Sequence, residues 1–291
     1  MNREYSNPQA IVSAHWLADH LDDAGLRIFD CTVYLRADTL ESAYRVVSGR
    51  EDYNSGHIPG AAFLDLQDDL SDSSASLRFT MPPPDELMAM FASHGVGDGS
   101  RIVLYSRDNI QWATRVWWML RAIGFDNAAI LDGGWEYWTQ LGLPVSTDPS
   151  RYPATSLSTK PRAGLFVGKQ AVQAASADAD SVVINALSAE LHAGHSPRYG
   201  RPGRIPGSVN VPANSLRDDA TRQLLPANET ADAFERVGAS ADKKVLIYCG
   251  GGIAATLDAF VLYQLGYPDI AVYDNSLNEW ARDESLPMES D

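Results

Sequence analysis

The sequence predicts an α/β fold built twice over, as two tandem domains, each with a central, mostly parallel sheet flanked by helices. Three observations carry this. The chain repeats itself, apolar strands alternate with helical stretches, and 291 residues are enough for two domains of ordinary size. The repeat organises the rest. His57-Ile58-Pro59-Gly60-Ala61 returns as Arg204-Ile205-Pro206-Gly207-Ser208, and Ile102-Val103-Leu104-Tyr105-Ser106 returns as Val245-Leu246-Ile247-Tyr248-Cys249. The spacings nearly agree, with 49 positions from His57 to Ser106 and 45 from Arg204 to Cys249. Asp132-Gly133-Gly134-Trp135-Glu136-Tyr137-Trp138 then matches Asp274-Asn275-Ser276-Leu277-Asn278-Glu279-Trp280.

In the first half, apolar runs at Arg27–Phe29, Ala61–Leu64, Ile102–Tyr105 and Ala128–Leu131 read as strands, with helical stretches such as Pro84–His94 and Thr114–Ile123 between them. Such alternation implies a parallel sheet covered on both faces. Gly124 and Gly266 stand just past helices, where a C-terminus ends. A polar, proline-containing stretch, residues 147–162, reads as the linker between a first domain, 1–146, and a second, 163–291. The Ser- and Pro-rich stretch from Ser71 to Pro84 reads as a surface loop without function.

Hydrophobic residues make up 45% and charged residues 21% of the chain, the balance of a soluble globular protein. No apolar run approaches the ~20 residues that span a bilayer, and Met1-Asn2-Arg3-Glu4-Tyr5-Ser6 has no apolar segment behind its charges, so no signal peptide is read. Two cysteines do not make a disulfide framework and fit a reducing compartment. The expected location is the cytoplasm. A net charge of −15 argues against nucleic acid or an anionic membrane as partner. An anionic substrate would therefore need a local basic patch.

Cys249 is the candidate nucleophile. It ends the run Val245-Leu246-Ile247-Tyr248, a buried strand by its pattern, and opens Gly250-Gly251-Gly252-Ile253-Ala254 before the helical stretch Ala254–Leu265. At such a strand-to-helix turn the first helical N–H groups lack partners and the helix dipole presents its positive end, which suits an anionic sulfur. Three glycines leave room for backbone to wrap around it. A lone cysteine is usually an inert small hydrophobe, and Cys31, with no glycine cradle after it, reads that way. Ser106 stands at the Cys249 position of the first half, but Arg107-Asp108-Asn109 follows it instead of glycines. One half keeps the nucleophile, and the other reads as scaffold.

With Gly56-His57-Ile58-Pro59-Gly60-Ala61, Arg115-Val116-Trp117-Trp118, Leu131-Asp132-Gly133-Gly134-Trp135, Ile205-Pro206-Gly207-Ser208 and the Cys249 loop, nearly the whole chain resembles the tandem-domain rhodaneses, the family of thiosulfate and 3-mercaptopyruvate sulfurtransferases. The resemblance implies that Cys249 takes a sulfane sulfur from a small anionic donor as a persulfide. It then yields that sulfur to a thiol, cyanide or protein thiol, with no metal or organic cofactor. Gly250, Gly251, Gly252, Ile253 and Ala254 would supply backbone donors around the persulfide, and Thr256 either a further donor or a bond back to its own helix. The neutral loop is more similar to the Cys-Gly-Ser-Gly-Val-Thr loop of mercaptopyruvate members than to the basic loops of thiosulfate-specific ones, although Gly251 replaces the serine. Leu187 stands where the family often has a donor-gripping arginine. Arg198, Arg201 and Arg204, in a basic glycine-broken segment, are the candidate replacements. Arg115 and His57 are further candidates from the first domain, the histidine by type a general acid or base. Asp274 and Trp280 read as structural.

Two other enzyme classes share this grammar. A cysteine-dependent phosphatase needs arginine six residues after the cysteine, where Ala255 stands. A dinucleotide site needs several strands after its glycines, and one remains. A protein that carries persulfide to a partner without turnover is the alternative from outside enzymology; turnover with a small donor would separate the two.

Overall fold

A computed structural model describes residues 3–37 and 44–291; Met1 and Asn2, at the charged start, lie outside the described residues. The chain divides into two compact units, Pro8–Arg162 with Asp219–Gln223, and Ala163–Asp218 with Leu224–Asp291 and the N-terminal arm to Asn7.

The first unit is built on five parallel strands, β1 (Ile11–Val12), β2 (Leu26–Asp30), β5 (Ala62–Phe63), β6 (Arg101–Tyr105) and β7 (Ala128–Leu131), in the order β1-β7-β6-β2-β5. An antiparallel hairpin, β3 (Val33–Ala37) and β4 (Tyr44–Ser48), pairs Leu35 with Val46. The sequence reading missed this hairpin, because no two-residue turn of the Asn-Gly kind marks it. The second unit has β8 (Phe166–Val167), β9 (Ser181–Asn185), β10 (Val209–Asn210), β11 (Lys244–Tyr248) and β12 (Ile270–Tyr273), all parallel, in the order β10-β9-β11-β12-β8. β6 and β11 lie at the middle of their sheets, and every residue of both after the first is buried. Their near-continuous apolar runs follow from coverage of both faces.

Helix boundaries hold to within a residue at Pro84–Ser93 and Ala254–Gln264. The helix expected from Thr114 begins earlier, at Gln111, where Asn109 Oδ1 accepts the Gln111 N–H (3.1 Å). That bond, made by the residue before the N-cap Ile110, lies outside the apolar pattern, so periodicity could not reveal it.

The internal repeat extends to individual hydrogen bonds. Cys31 N donates to Tyr105 O, and Ala186 N to Tyr248 O, both at 2.8 Å. The Tyr105 hydroxyl accepts from Ile58 N (3.3 Å), and the Tyr248 hydroxyl from Ile205 N (3.1 Å). Trp138 Nε1 donates to Pro144 O (2.8 Å), and Trp280 Nε1 to Pro287 O (2.9 Å). Each tryptophan is buried with its one donor satisfied. The N-terminal arm packs within the second unit, with Ser6 N donating to Gln264 O (2.6 Å) and Asn7 Nδ2 to Tyr263 O (2.7 Å).

Candidate active site

Cys249 follows the last residue of β11, at the carboxyl end of a central strand, where open α/β sheets place ligands. It is only 2% exposed. The turn from Tyr273 to Asn278 holds its backbone. Cys249 N donates to Ser276 Oγ (3.0 Å), Leu277 N donates to Cys249 O (3.1 Å), and Asn278 N donates to Gly250 O (2.8 Å). Among the described residues, the main-chain N–H groups of Gly250, Gly251, Ile253 and Ala254 make no hydrogen bond within the protein. Gly252 adopts φ +73°, a left-handed conformation that costs glycine nothing, and turns the loop into the helix Ala254–Gln264. That helix has no side-chain cap at Ile253, and while Thr256 N donates to Ile253 O (3.0 Å), the Ala254 N–H and the positive end of the helix dipole are left toward the loop.

The glycines have a second cause. A β-carbon on Gly250 would fall inside the Tyr199 ring carbons Cε1 and Cζ and its hydroxyl oxygen. One on Gly251 would lie 2.7 Å from the Asn278 side-chain amide nitrogen. Space that a loop side chain would fill is thus taken by a phenol on one residue and a carboxamide on the next. Tyr199 and Asn278 escaped the sequence reading. Consecutive glycines signal close neighbours, but nothing local says which residues those are.

The expected anion-binding residues separate. Arg201 is a strut, its guanidinium donating to the carbonyls of Ala281 (2.8 Å), Leu286 (2.9 Å), Trp280 (3.1 Å) and Asp283 (2.7 Å). Arg204 pairs with Glu289 (2.5 Å) and Asp291 (2.7 Å) at the C-terminal end of the chain and donates to His192 O (3.3 Å). Both guanidiniums are held by carbonyls and carboxylates of the second unit. Arg198 is exposed, 5.9 Å from the Tyr199 ring centroid.

His57 is fully buried in the first unit, stacked on Tyr53 (4.0 Å between centroids), with Nδ1 2.8 Å from Tyr53 O and Nε2 3.0 Å from Asp148 O. Arg115 is likewise buried there and donates to Phe79 O (2.7 Å). Both side chains are packed and hydrogen-bonded within the first unit. Phe79 lies in the stretch read as a featureless surface loop, and it is buried against Trp112.

Leu187 N donates to Asn185 Oδ1 (3.0 Å), and Asn210 Nδ2 donates to Leu187 O (2.9 Å) and Asn185 O (2.7 Å). An amide network therefore lines the strand next to Cys249. The Thr256 hydroxyl donates to Ile253 O (2.7 Å), the bond back to its own helix. Asp258, further along the same helix, is fully buried, neither carboxyl oxygen has a hydrogen-bond partner among the described residues, and burial pushes its pKa well above the usual carboxylate range.

In the first unit the equivalent loop is filled from within. Ser106 Oγ donates to Asn109 O (2.7 Å). Arg107 folds back to the carbonyls of Gly56 and Asp52 and lies 4.1 Å from the Trp135 ring centroid, its Nε 3.7 Å from Asp30 Oδ2. Cys31, beside Asp30, is wholly buried, and burial followed by the Asp30 charge pushes its thiol pKa well up. Among the described residues, no cluster of His, Cys, Asp and Glu could hold a metal ion, and no helix is long and apolar enough to cross a membrane.

Comparison with known proteins gives the same picture. The chain is 31% identical over 307 residues to thiosulfate/3-mercaptopyruvate sulfurtransferase 2 of Arabidopsis thaliana, covering 97% of this chain and 87% of that protein. It is 31% identical over 284 residues to 3-mercaptopyruvate sulfurtransferase of Escherichia coli K12, covering 96% and 97%. The crystal structure of a 3-mercaptopyruvate sulfotransferase from Escherichia coli superposes with a TM-score of 0.77 at 29% identity, over 92% of this chain and 98% of that one. The wild-type structure of EanB shares the fold, with a TM-score of 0.82 at 23% identity over 97% of this chain and 69% of that one. The rhodanese-like domain matches twice, at residues 13–141 and 174–283. With the motif repeated and the cysteine loop kept only in the second copy, the chain belongs to the rhodanese family.

Proposed function

We propose that this chain is a sulfurtransferase that works through a persulfide on Cys249, with 3-mercaptopyruvate or thiosulfate as donor and cyanide or a thiol as acceptor. The observation that carries the reading is the loop itself. A cysteine at the end of a central strand is followed by backbone N–H groups that no other part of the described chain uses. Fixed donors of this kind stabilise charge on sulfur without reorganising during the reaction.

In the first half-reaction the Cys249 thiolate attacks the donor's transferable sulfur. With thiosulfate an S–S bond forms, the donor's S–S bond breaks, and its electron pair leaves with sulfite. With 3-mercaptopyruvate the C–S bond breaks, and the pair left on carbon takes a proton to give pyruvate. In the second half-reaction an acceptor such as cyanide attacks the outer sulfur, leaves as thiocyanate, and returns Cys249 as thiolate. The N–H groups of Gly250, Gly251, Ile253 and Ala254 face the charge on the outer sulfur between the two steps. Within this reading the first unit is scaffold, its own loop being occupied by Arg107. Of the cations named from the sequence, Arg198 remains for the donor's anionic group.

Intact mass after incubation with each donor, followed by peptide mapping, tests the reading. One added sulfur on Cys249, removed by cyanide and absent in Cys249→Ser, is expected. Sulfur transfer by Cys249→Ser at the wild-type rate would overturn it. No added sulfur from either donor would favour a carrier loaded by a protein partner.

A further inference from the structure

The geometry points to Tyr199 as a specificity-determining residue, whose phenolic hydroxyl binds the anionic group of the molecule attacking or attacked by Cys249. Tyr199 stands in the segment whose arginines attract attention, and two of those arginines serve to hold it. Arg201, two residues on, is tied to four carbonyls between Trp280 and Asp283 and at Leu286. Arg204 is tied to Glu289 and Asp291. Gly200 N donates to Pro197 O (2.8 Å), closing a tight turn around Arg198 and Tyr199. Within that turn Arg198 and Gly200 are exposed, while Tyr199 is 9% exposed. The backbone is thus pinned so that one aromatic side chain turns inward.

Its target is the residue after the nucleophile. The Tyr199 hydroxyl and the adjoining ring carbons occupy the position a β-carbon of Gly250 would take. Where a member with a basic loop would place a cation beside its cysteine, this chain places a neutral phenol delivered from fifty residues away in sequence. A phenol both donates and accepts, so it can bond an anion while keeping a contact with the loop. A neutral phenol beside one cation, Arg198, suits a monoanion such as a carboxylate better than a dianion, whose desolvation the pair offsets less completely. The donor class this favours is a thiol-bearing α-keto carboxylate such as 3-mercaptopyruvate over thiosulfate. That preference rests on the sulfurtransferase reading; the hydroxyl's contact with an anion at Cys249 does not.

Tyr199→Phe keeps the ring against Gly250 and removes only the hydroxyl, so it tests the contact directly. Two readouts are compared with wild type. The first is kcat/KM for 3-mercaptopyruvate and for thiosulfate. The second is the rate of Cys249 alkylation by iodoacetate relative to neutral iodoacetamide, which needs no turnover. Loss of one hydrogen bond to a charged group is expected to lower the iodoacetate-to-iodoacetamide ratio about tenfold. The kcat/KM for 3-mercaptopyruvate should fall similarly, and that for thiosulfate less. A purely structural role would change both alkylation rates together and leave their ratio alone. An unchanged ratio overturns the proposal, whatever the turnover. A wild-type protein that turns over neither donor would sink the sulfurtransferase reading instead, with the alkylation ratio still deciding the role of Tyr199.

Discussion

Ser276 accepts the hydrogen bond of the Cys249 main-chain N–H at 3.0 Å while its hydroxyl donates to Tyr273 O at 2.7 Å. It does so from a left-handed backbone, φ +50°, fully buried. At the same place in the repeat the first unit has Gly134, with φ +56°. The turn therefore requires a conformation that favours glycine, and the unit with the nucleophile accepts the strain of a serine there. The hydroxyl supplies the reason, because it fixes the backbone of the reacting residue.

This ranks two variants. Ser276→Ala keeps the strained backbone and leaves the buried Cys249 N–H without an acceptor, a loss of about 1–3 kcal/mol. Ser276→Gly loses the same bond but relieves about 1–2 kcal/mol of left-handed strain. Thermal midpoints are expected in the order wild type, glycine, alanine, with sulfur transfer lowered alike in both variants. An alanine variant as stable as the glycine one would contradict the strain argument.

Gly250→Ala should be destabilising by about 1–3 kcal/mol, as overpacking is, since its methyl group would enter the Tyr199 ring. Adding Tyr199→Ala to it should recover part of the loss. A double-mutant cycle in chemical denaturation reads the coupling, and strictly additive effects would mean that the two residues do not share that space.

The arginines of the basic segment should behave oppositely. Arg201→Ala removes four carbonyl hydrogen bonds and should cost about 3 kcal/mol of stability, given that bonds from a charged group are worth about 1.5–3 kcal/mol each and are not additive. Arg198→Ala, at an exposed position, should leave the thermal midpoint within about 2 °C and raise KM for anionic donors. Thermal melts with steady-state kinetics check both.

Asp258 links stability to pH. Burial raises its pKa in the folded protein, so the unfolded chain gives up the proton first. Its contribution is fully present below the unfolded carboxyl pKa, near 3.9. It is lost as pH rises toward the folded value, at about 1.4 kcal/mol per pH unit in that window. Asp258→Asn, which cannot ionise, should be more stable than wild type at pH 8 and should converge on it toward pH 4. Parallel stability curves for the two proteins would show that Asp258 does not titrate on unfolding.

Cys31→Ser should leave sulfur transfer unchanged, because that thiol is wholly buried in the first unit with its pKa driven up by burial. Loss of turnover with a normal melting temperature would count against this assignment.

Much of the architecture was already in the sequence. The duplicated motifs, the apolar runs of β6 and β11, the glycine loop after Cys249 and its replacement by Arg107-Asp108-Asn109 in the first half are local patterns. Local patterns follow from backbone geometry and burial period, which neighbouring residues encode. The partners of each polar side chain needed the tertiary structure. Arg201 and Arg204 read as anion-binding cations from composition, yet the fold brings them to carbonyls and carboxylates near the end of the chain. It also brings Ser276 to Cys249 N and Tyr199 to Gly250. A buried charge or hydroxyl takes whichever partner the packed chain presents, and that partner is set by long-range topology rather than by sequence neighbours.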